Sequence, residues 1–96
     1  MKTYRADRES YKLDLEINGF YQIELFSFPN PSARPSRPED FGLRHLVLEV
    51  EDNDEAFRYL STRGAIPEAV RVDEITHKRF FFISDPDGLP LEFYEK

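Results

Sequence analysis

One pattern occurs twice in this chain. Leu13-Asp14-Leu15-Glu16-Ile17 alternates apolar and polar residues, reaches Asn18-Gly19 and leads into Ile23-Glu24-Leu25-Phe26. Phe80-Phe81-Phe82-Ile83-Ser84 reaches Asp85-Pro86-Asp87-Gly88 and leads into Leu91-Glu92-Phe93-Tyr94. Each copy reads as a strand, a glycine-bearing turn and a second strand that carries one Glu between apolar neighbours. Alternation is the period of a half-buried strand, and Asn-Gly tolerates the positive φ values of a tight hairpin. Glu24 and Glu92 lie 68 positions apart, and Gly19 and Gly88 lie 69 apart. A repeat of that length points to duplicated supersecondary units. The competing explanation is two unrelated hairpins that share a cheap alternating pattern.

The remaining elements arrange themselves around these hairpins. In the first copy, strands are expected over residues 11–17 and 20–28, ending at Pro29. Residues 30–39 hold Pro31, Pro35 and Pro38, which excludes a helix or a central strand and reads as an extended linker. A strand is expected over residues 43–50, with Arg44, Leu46, Leu48 and Val50 on one face and Leu43, His45, Val47 and Glu49 on the other. Asp52 starts a helix with Glu55 at the capping-box spacing. Ala56, Phe57 and Leu60 form its apolar side, and Gly64 suits a left-handed stop. Short strands are expected over 69–73, 79–84 and 89–95, so residues 43–95 read β-α-β-β-β. His45 precedes Glu92 by 47 residues, and the matching place before Glu24 falls upstream of Met1. The first copy is thus expected to lack an opening strand and helix. Truncation, a misassigned start and a decayed gene all remain open as explanations.

Composition limits the function classes. The length of 96 residues permits one small domain, and 40% hydrophobic with 15% aromatic residues is enough for a packed core. A formal net charge of −6 argues against nucleic acid as the main partner, because phosphate binding needs a basic surface. There is no Cys, hence no disulfide framework and no thiolate chemistry. Residues 1–10 are polar and charged, unlike a signal peptide, and no apolar run approaches the roughly 20 residues of a membrane helix. The expectation is a soluble cytoplasmic protein with neither nucleic acid nor membrane as partner.

Three stretches carry a family resemblance. Gly42-Leu43-Arg44-His45-Leu46-Val47-Leu48-Glu49-Val50, the helix ending at Gly64, and Phe82-Ile83-Ser84-Asp85-Pro86-Asp87-Gly88-Leu89-Pro90-Leu91-Glu92-Phe93 together resemble the second module of vicinal oxygen chelate proteins. These form the glyoxalase I/bleomycin resistance/dioxygenase superfamily. Ile23-Glu24-Leu25-Phe26-Ser27-Phe28-Pro29 and Arg34-Pro35-Ser36-Arg37-Pro38 are similar to a lactoylglutathione lyase-like subgroup. The resemblance implies an α+β fold of paired βαβββ modules. Residues 1–29 would then be the remnant of module one, 30–41 the linker and 42–96 the complete module two. It also implies a metal site with one ligand from the first and one from the last strand of each module. By position Glu24, His45 and Glu92 match three of these four. His77, the only other His, lies in a segment that does not correspond.

Imidazole and carboxylate suit a divalent ion such as Zn, Ni, Co, Mn or Fe. In the family such an ion polarises two neighbouring oxygens of a small molecule and stabilises an enediolate-type intermediate, while a Glu moves the proton. Glu24 and Glu92 are both candidates for that base. The resemblance therefore implies a metal-dependent lyase or isomerase, with activity lost if the absent ligand is essential. The alternative is a non-catalytic small-molecule binder of the bleomycin-resistance type. Plainer readings stand beside these: a lone His on a strand is more often an ordinary hydrogen-bonded residue, and a Glu on an antiparallel sheet often faces water. Asp85 and Asp87 read as turn residues before a Ca²⁺ site. Arg5, Arg8, Arg34, Arg37, Lys78 and Arg79 read as solvated charge before anion ligands, and the Phe80-Phe81-Phe82 run reads as core. An uncovered edge along residues 20–28 would recruit a second copy, so a homodimer is expected.

Overall fold

Alternation and turn chemistry produce both hairpins. The structure, a computed structural model, describes residues 1–35 and 37–96 apart from the Tyr21 side chain. Ser36, part of the expected linker and of the family resemblance, lies outside the described residues. The chain divides into two units, Met1–Ser32 and Ala33–Lys96.

The first unit is an antiparallel sheet in the order β1 (Lys2–Arg5), β2 (Ser10–Ile17), β3 (Tyr21–Phe26). Asn18 (φ 53) and Gly19 (φ 72) make the turn, closed by Phe20 N–H donating to the Ile17 carbonyl at 3.1 Å. Both central residues have positive φ, the geometry of a type I′ turn that matches the twist of the strands. Strand β1 and the short 3₁₀ turn Ala6–Arg8 were not expected. Lys2-Thr3-Tyr4-Arg5 has no clean alternation of apolar residues, so its strand state comes from pairing with β2 (Thr3 opposite Lys12, Arg5 opposite Ser10). Leu13, Leu15 and Leu25 share one face and are 36%, 40% and 48% exposed. The other face carries Lys12, Asp14 and Glu24.

The second unit runs β4 (Leu46–Val50), α1 (Asn53–Thr62), β5 (Arg71–Val72), β6 (Arg79–Ser84), β7 (Pro90–Glu95), with sheet order β4-β7-β6-β5. Strands β4 and β7 are parallel, joined through the helix as such a pairing requires. This is the expected β-α-β-β-β order, in strands shorter than the sequence suggested: β4 starts at Leu46 rather than residue 43, and β5 keeps two residues. Asp52 caps α1, its carboxylate accepting from Glu55 N–H at 3.0 Å. At the other end Gly64 (φ +93) allows Ala65 N–H to reach the Leu60 carbonyl at 3.1 Å, a Schellman closure.

The core is aromatic. Phe81 is fully buried, stacked on Phe93 at 5.1 Å and edge-on to Phe57 of α1 at 5.4 Å. Asn53, also buried, donates from Nδ2 to the Phe93 carbonyl at 3.0 Å, tying the helix start to β7. Only the middle of the Phe80-Phe81-Phe82 run belongs to this core. Successive strand residues face opposite ways, so Phe80 and Phe82 lie on the face away from α1, which corrects the expectation that the whole run is core.

The repeat extends to strand register. An offset of 68 carries Asp14 opposite Glu24 in the first unit onto Phe82 opposite Glu92 in the second. The same offset carries Thr3 opposite Lys12 onto Arg71 opposite Phe80. Chance likeness of two hairpins does not extend to a third strand in the same register. Unit one therefore matches the last three strands of unit two. Among the described residues, unit one has no counterpart of β4 on the outer edge of β3 and none of α1 on its apolar face.

Candidate functional site

The parallel β4–β7 pairing builds the centre of the site. Val47 and Phe82 stand opposite Glu92 on the two strands flanking β7. Leu46 is opposite Leu91, so His45, one step before β4, falls on the same side as Glu92. Leu91 and Phe93 point the other way, toward α1. The His45 Nε2 and Glu92 Oε1 atoms are 3.1 Å apart, and the imidazole meets the Phe82 ring edge-on at 5.4 Å. The Glu92 side chain is 14% exposed and His45 32%. Which of the two atoms donates depends on the imidazole tautomer. A metal ion bound by both atoms would replace this contact.

His45 opens onto a cavity of about 690 Å³ within the second unit. Phe82, Ile83, Ile66 and Pro90 supply apolar wall; Arg37, Arg44, Arg71 and Glu68 supply charge. Arg71 lies over the Phe80 and Phe82 rings at 5.0 and 5.6 Å. Its pairing with Glu68 is loose, at 3.7 Å. Glu39 lies 3.5 Å from Arg37 and 3.8 Å from Arg44.

Glu24 belongs to the first unit, and its surroundings differ. Lys12 Nζ lies 3.0 Å from Glu24 and 3.4 Å from Asp14, which faces Glu24 across the hairpin. The hydrogen bond to Glu24 raises the Lys12 pKa above its ordinary value, against a partly opposing effect of burial. In the second unit the corresponding positions are Phe80 and Phe82, so one Glu is held by an ammonium and the other by an imidazole among aromatic rings. Within neither unit do three His, Cys, Asp or Glu side chains converge on a common point among the described residues.

The other candidates resolve into local roles. Asp85 Oδ1 accepts from Asp87 N–H at 2.9 Å and Leu89 N–H at 2.8 Å, the work of a turn residue. Arg34 donates to the Leu43 and Arg44 carbonyls at 2.6 and 2.7 Å, and Arg79 pairs with Asp54. Arg5 donates to Ser10 Oγ at 3.1 Å, and His77 lies in the exposed loop after β5. Three features had no expectation attached: Lys12 at Glu24, Arg44 and Arg71 at the cavity, and a Tyr94–Asp73–Thr76 cluster. Lys12 alone left a trace in the sequence, since it shares strand parity with Asp14. In that cluster Tyr94 OH donates to Asp73 Oδ2 at 2.9 Å and contacts Thr76 Oγ1. Backbone donors at Ile75 and Thr76, with Tyr94, hold the Asp73 carboxyl below its usual pKa.

Comparisons with known proteins agree with this architecture. The family model described as the Glyoxalase/Bleomycin resistance protein/Dioxygenase superfamily matches residues 3–93. YaeR of Escherichia coli is 56% identical over 95 residues, covering 99% of this chain and 74% of its own. A crystal structure of a glyoxalase family protein from Enterococcus faecalis is 41% identical with a TM-score of 0.91, covering 99% of this chain and 75% of that one. A more distant relative, the 2-epi-5-epi-valiolone epimerase of an Actinomyces species, is 29% identical over 85 residues, covering 81% of this chain and 46% of its own.

Proposed function

The chain belongs to the Glyoxalase/Bleomycin resistance protein/Dioxygenase superfamily, and from that premise we propose that it is a metal-dependent, glyoxalase-I-like lyase or isomerase acting on a small molecule with neighbouring oxygens through an enediolate-type intermediate. The observation that carries this reading is the His45–Glu92 contact of 3.1 Å beside a cavity wide enough for a metabolite. One imidazole nitrogen and one carboxylate oxygen sit side by side on one sheet face, and both are donor types that such an ion accepts. His45 and Glu92 would hold a borderline divalent ion of the Zn, Ni, Co, Mn or Fe kind, and the family resemblance names Glu24 by position as a further ligand. Such an ion, when bound, polarises the two neighbouring oxygens of the substrate.

The residues divide the remaining work. Glu92 takes a proton from the carbon beside the carbonyl and returns it to the neighbouring carbon. Phe82 and Val47 flank it on the neighbouring strands. Its environment favours Glu92 over Glu24 for this step, because Glu24 is already engaged by the Lys12 ammonium at 3.0 Å. The epimerase relative is named for an activity that changes stereochemistry, in keeping with proton movement at carbon. Metal analysis of the purified protein beside its Glu92→Gln variant tests the reading. Bound divalent metal in the parent and much less in the variant is expected. Equal, negligible metal in both removes the metal-dependent activity.

One observation favours a second reading, a small-molecule binder of the bleomycin-resistance type without catalysis. Lys12 already neutralises Glu24, so that carboxylate has a cation without any metal. In that case ligands bind equally well in metal-scrubbed and metal-supplemented protein.

A further inference from the structure

The chain as a whole is acidic, with 19 Asp and Glu against 13 Lys and Arg. The cavity beside His45 reverses that balance: among the described residues Arg37, Arg44 and Arg71 line it with one acidic residue, Glu68, while Glu39 outside the lining pairs with Arg37 and Arg44. All three cations are Arg, whose planar fork of donors matches the paired oxygens of a carboxylate or phosphate. Arg71 is the best placed of them. Its guanidinium lies over Phe80 and Phe82 at 5.0 and 5.6 Å, and the side chain is 55% exposed. Its only ion-pair contact among the described residues, Glu68 at 3.7 Å, lies beyond hydrogen-bond length. The wall between Arg71 and His45 includes the Phe82 ring, which touches both.

We infer that the small molecule bound in this cavity carries an anionic oxygen group, carboxylate or phosphate, held by Arg71 with support from Arg37. This deepens the proposed function, on whose small-molecule site it rests. A ligand would place its charge against the Arg71 end of the aromatic wall and its neighbouring oxygens toward His45 and Glu92. Arg71 is thus a specificity-determining residue, acting on ligand choice rather than on the reacting carbon.

The test uses three compounds that share a hydroxyl next to a carbonyl: dihydroxyacetone, dihydroxyacetone phosphate and hydroxypyruvate. Calorimetric titration of the full chain in metal-scrubbed buffer separates charge from shared shape. One or both anions should bind about tenfold or more tightly than dihydroxyacetone, a gap typical of one charge-assisted contact. Whichever anion wins tells phosphate from carboxylate. Arg71→Gln should abolish the advantage and Arg71→Lys should keep part of it. Arg58→Gln, which removes the same charge from the exposed side of α1, should leave it unchanged. Circular dichroism verifies that each variant is folded. The inference is overturned if all three compounds bind equally, if neither anion binds at millimolar concentration, or if the preference survives Arg71→Gln combined with Arg37→Gln. Metal content should not change in Arg71→Gln, so loss of metal in the Glu92 comparison and loss of anion preference here are separate failures.

Discussion

Single residues in equivalent positions have acquired different tasks. Glu24 and Glu92 occupy the same place in the repeat, yet Lys12 and Asp14 surround one while Phe80 and Phe82 surround the other. Asp14 and Glu24 face each other with like charge, which is unfavourable across a strand pair unless a cation intervenes. Lys12→Met should therefore lower the melting temperature, and the deficit should shrink near 1 M NaCl, where the screening length falls to about 3 Å. A deficit independent of salt would point to lost packing instead. Asp73 offers a pH test. Its carboxylate accepts from two backbone N–H groups and from Tyr94, so its pKa lies lower in the folded than in the unfolded chain. Its stabilising effect is complete above the unfolded pKa of about 3.9 and disappears as pH falls through the lower folded value. The melting-temperature gap between the parent and Asp73→Asn should be full at neutral pH and close in acid.

At the scale of elements, the second unit depends on one aromatic contact set and two helix ends. Phe81→Ala removes the ring that joins β6, β7 and α1. Such a truncation costs about 3–5 kcal/mol, a large part of the stability of any small domain. Urea unfolding should show the midpoint collapse, with Phe81→Leu closer to the parent. Gly64→Ala meets no atom within 4 Å, so its cost is the backbone one. Forcing an L-residue to φ +93 should cost about 1–2 kcal/mol by the same measurement. These elements were readable in advance because their signals are local: a capping pair, a glycine stop, alternating strands. Strand β1 was not, since Lys2–Arg5 owes its state to hydrogen bonds with β2. Strand β4 is three residues shorter than alternation predicts for a related reason: β7 pairs with Leu46–Val50 alone among the described residues.

For the molecule as a whole, the first unit's sheet is the exposed feature. The outer edge of β3 is unpaired among the described residues, and Leu13, Leu15 and Leu25 stand on an uncovered face. Open edges and apolar faces recruit strands and side chains of other molecules. Light scattering should therefore give a mass of two chains or more at micromolar concentration; a stable monomer of 11.4 kDa would contradict this. Among the described residues no helix is long and apolar enough to cross a membrane.

Sequence by itself determined the order of elements, the repeated hairpin and the family, because turn chemistry, strand alternation and helix caps act over a few neighbouring residues. It also placed His45 and Glu92 on one face, since alternation depends only on parity. Their contact at 3.1 Å depended on β4 lying parallel to β7, a pairing between segments more than forty residues apart. The same is true of Lys12 beside Glu24 and of three arginines around one cavity in an acidic chain. Long-range pairing and burial, which no short window of sequence contains, set charge environments, so the fold was legible early and the character of the site only in three dimensions.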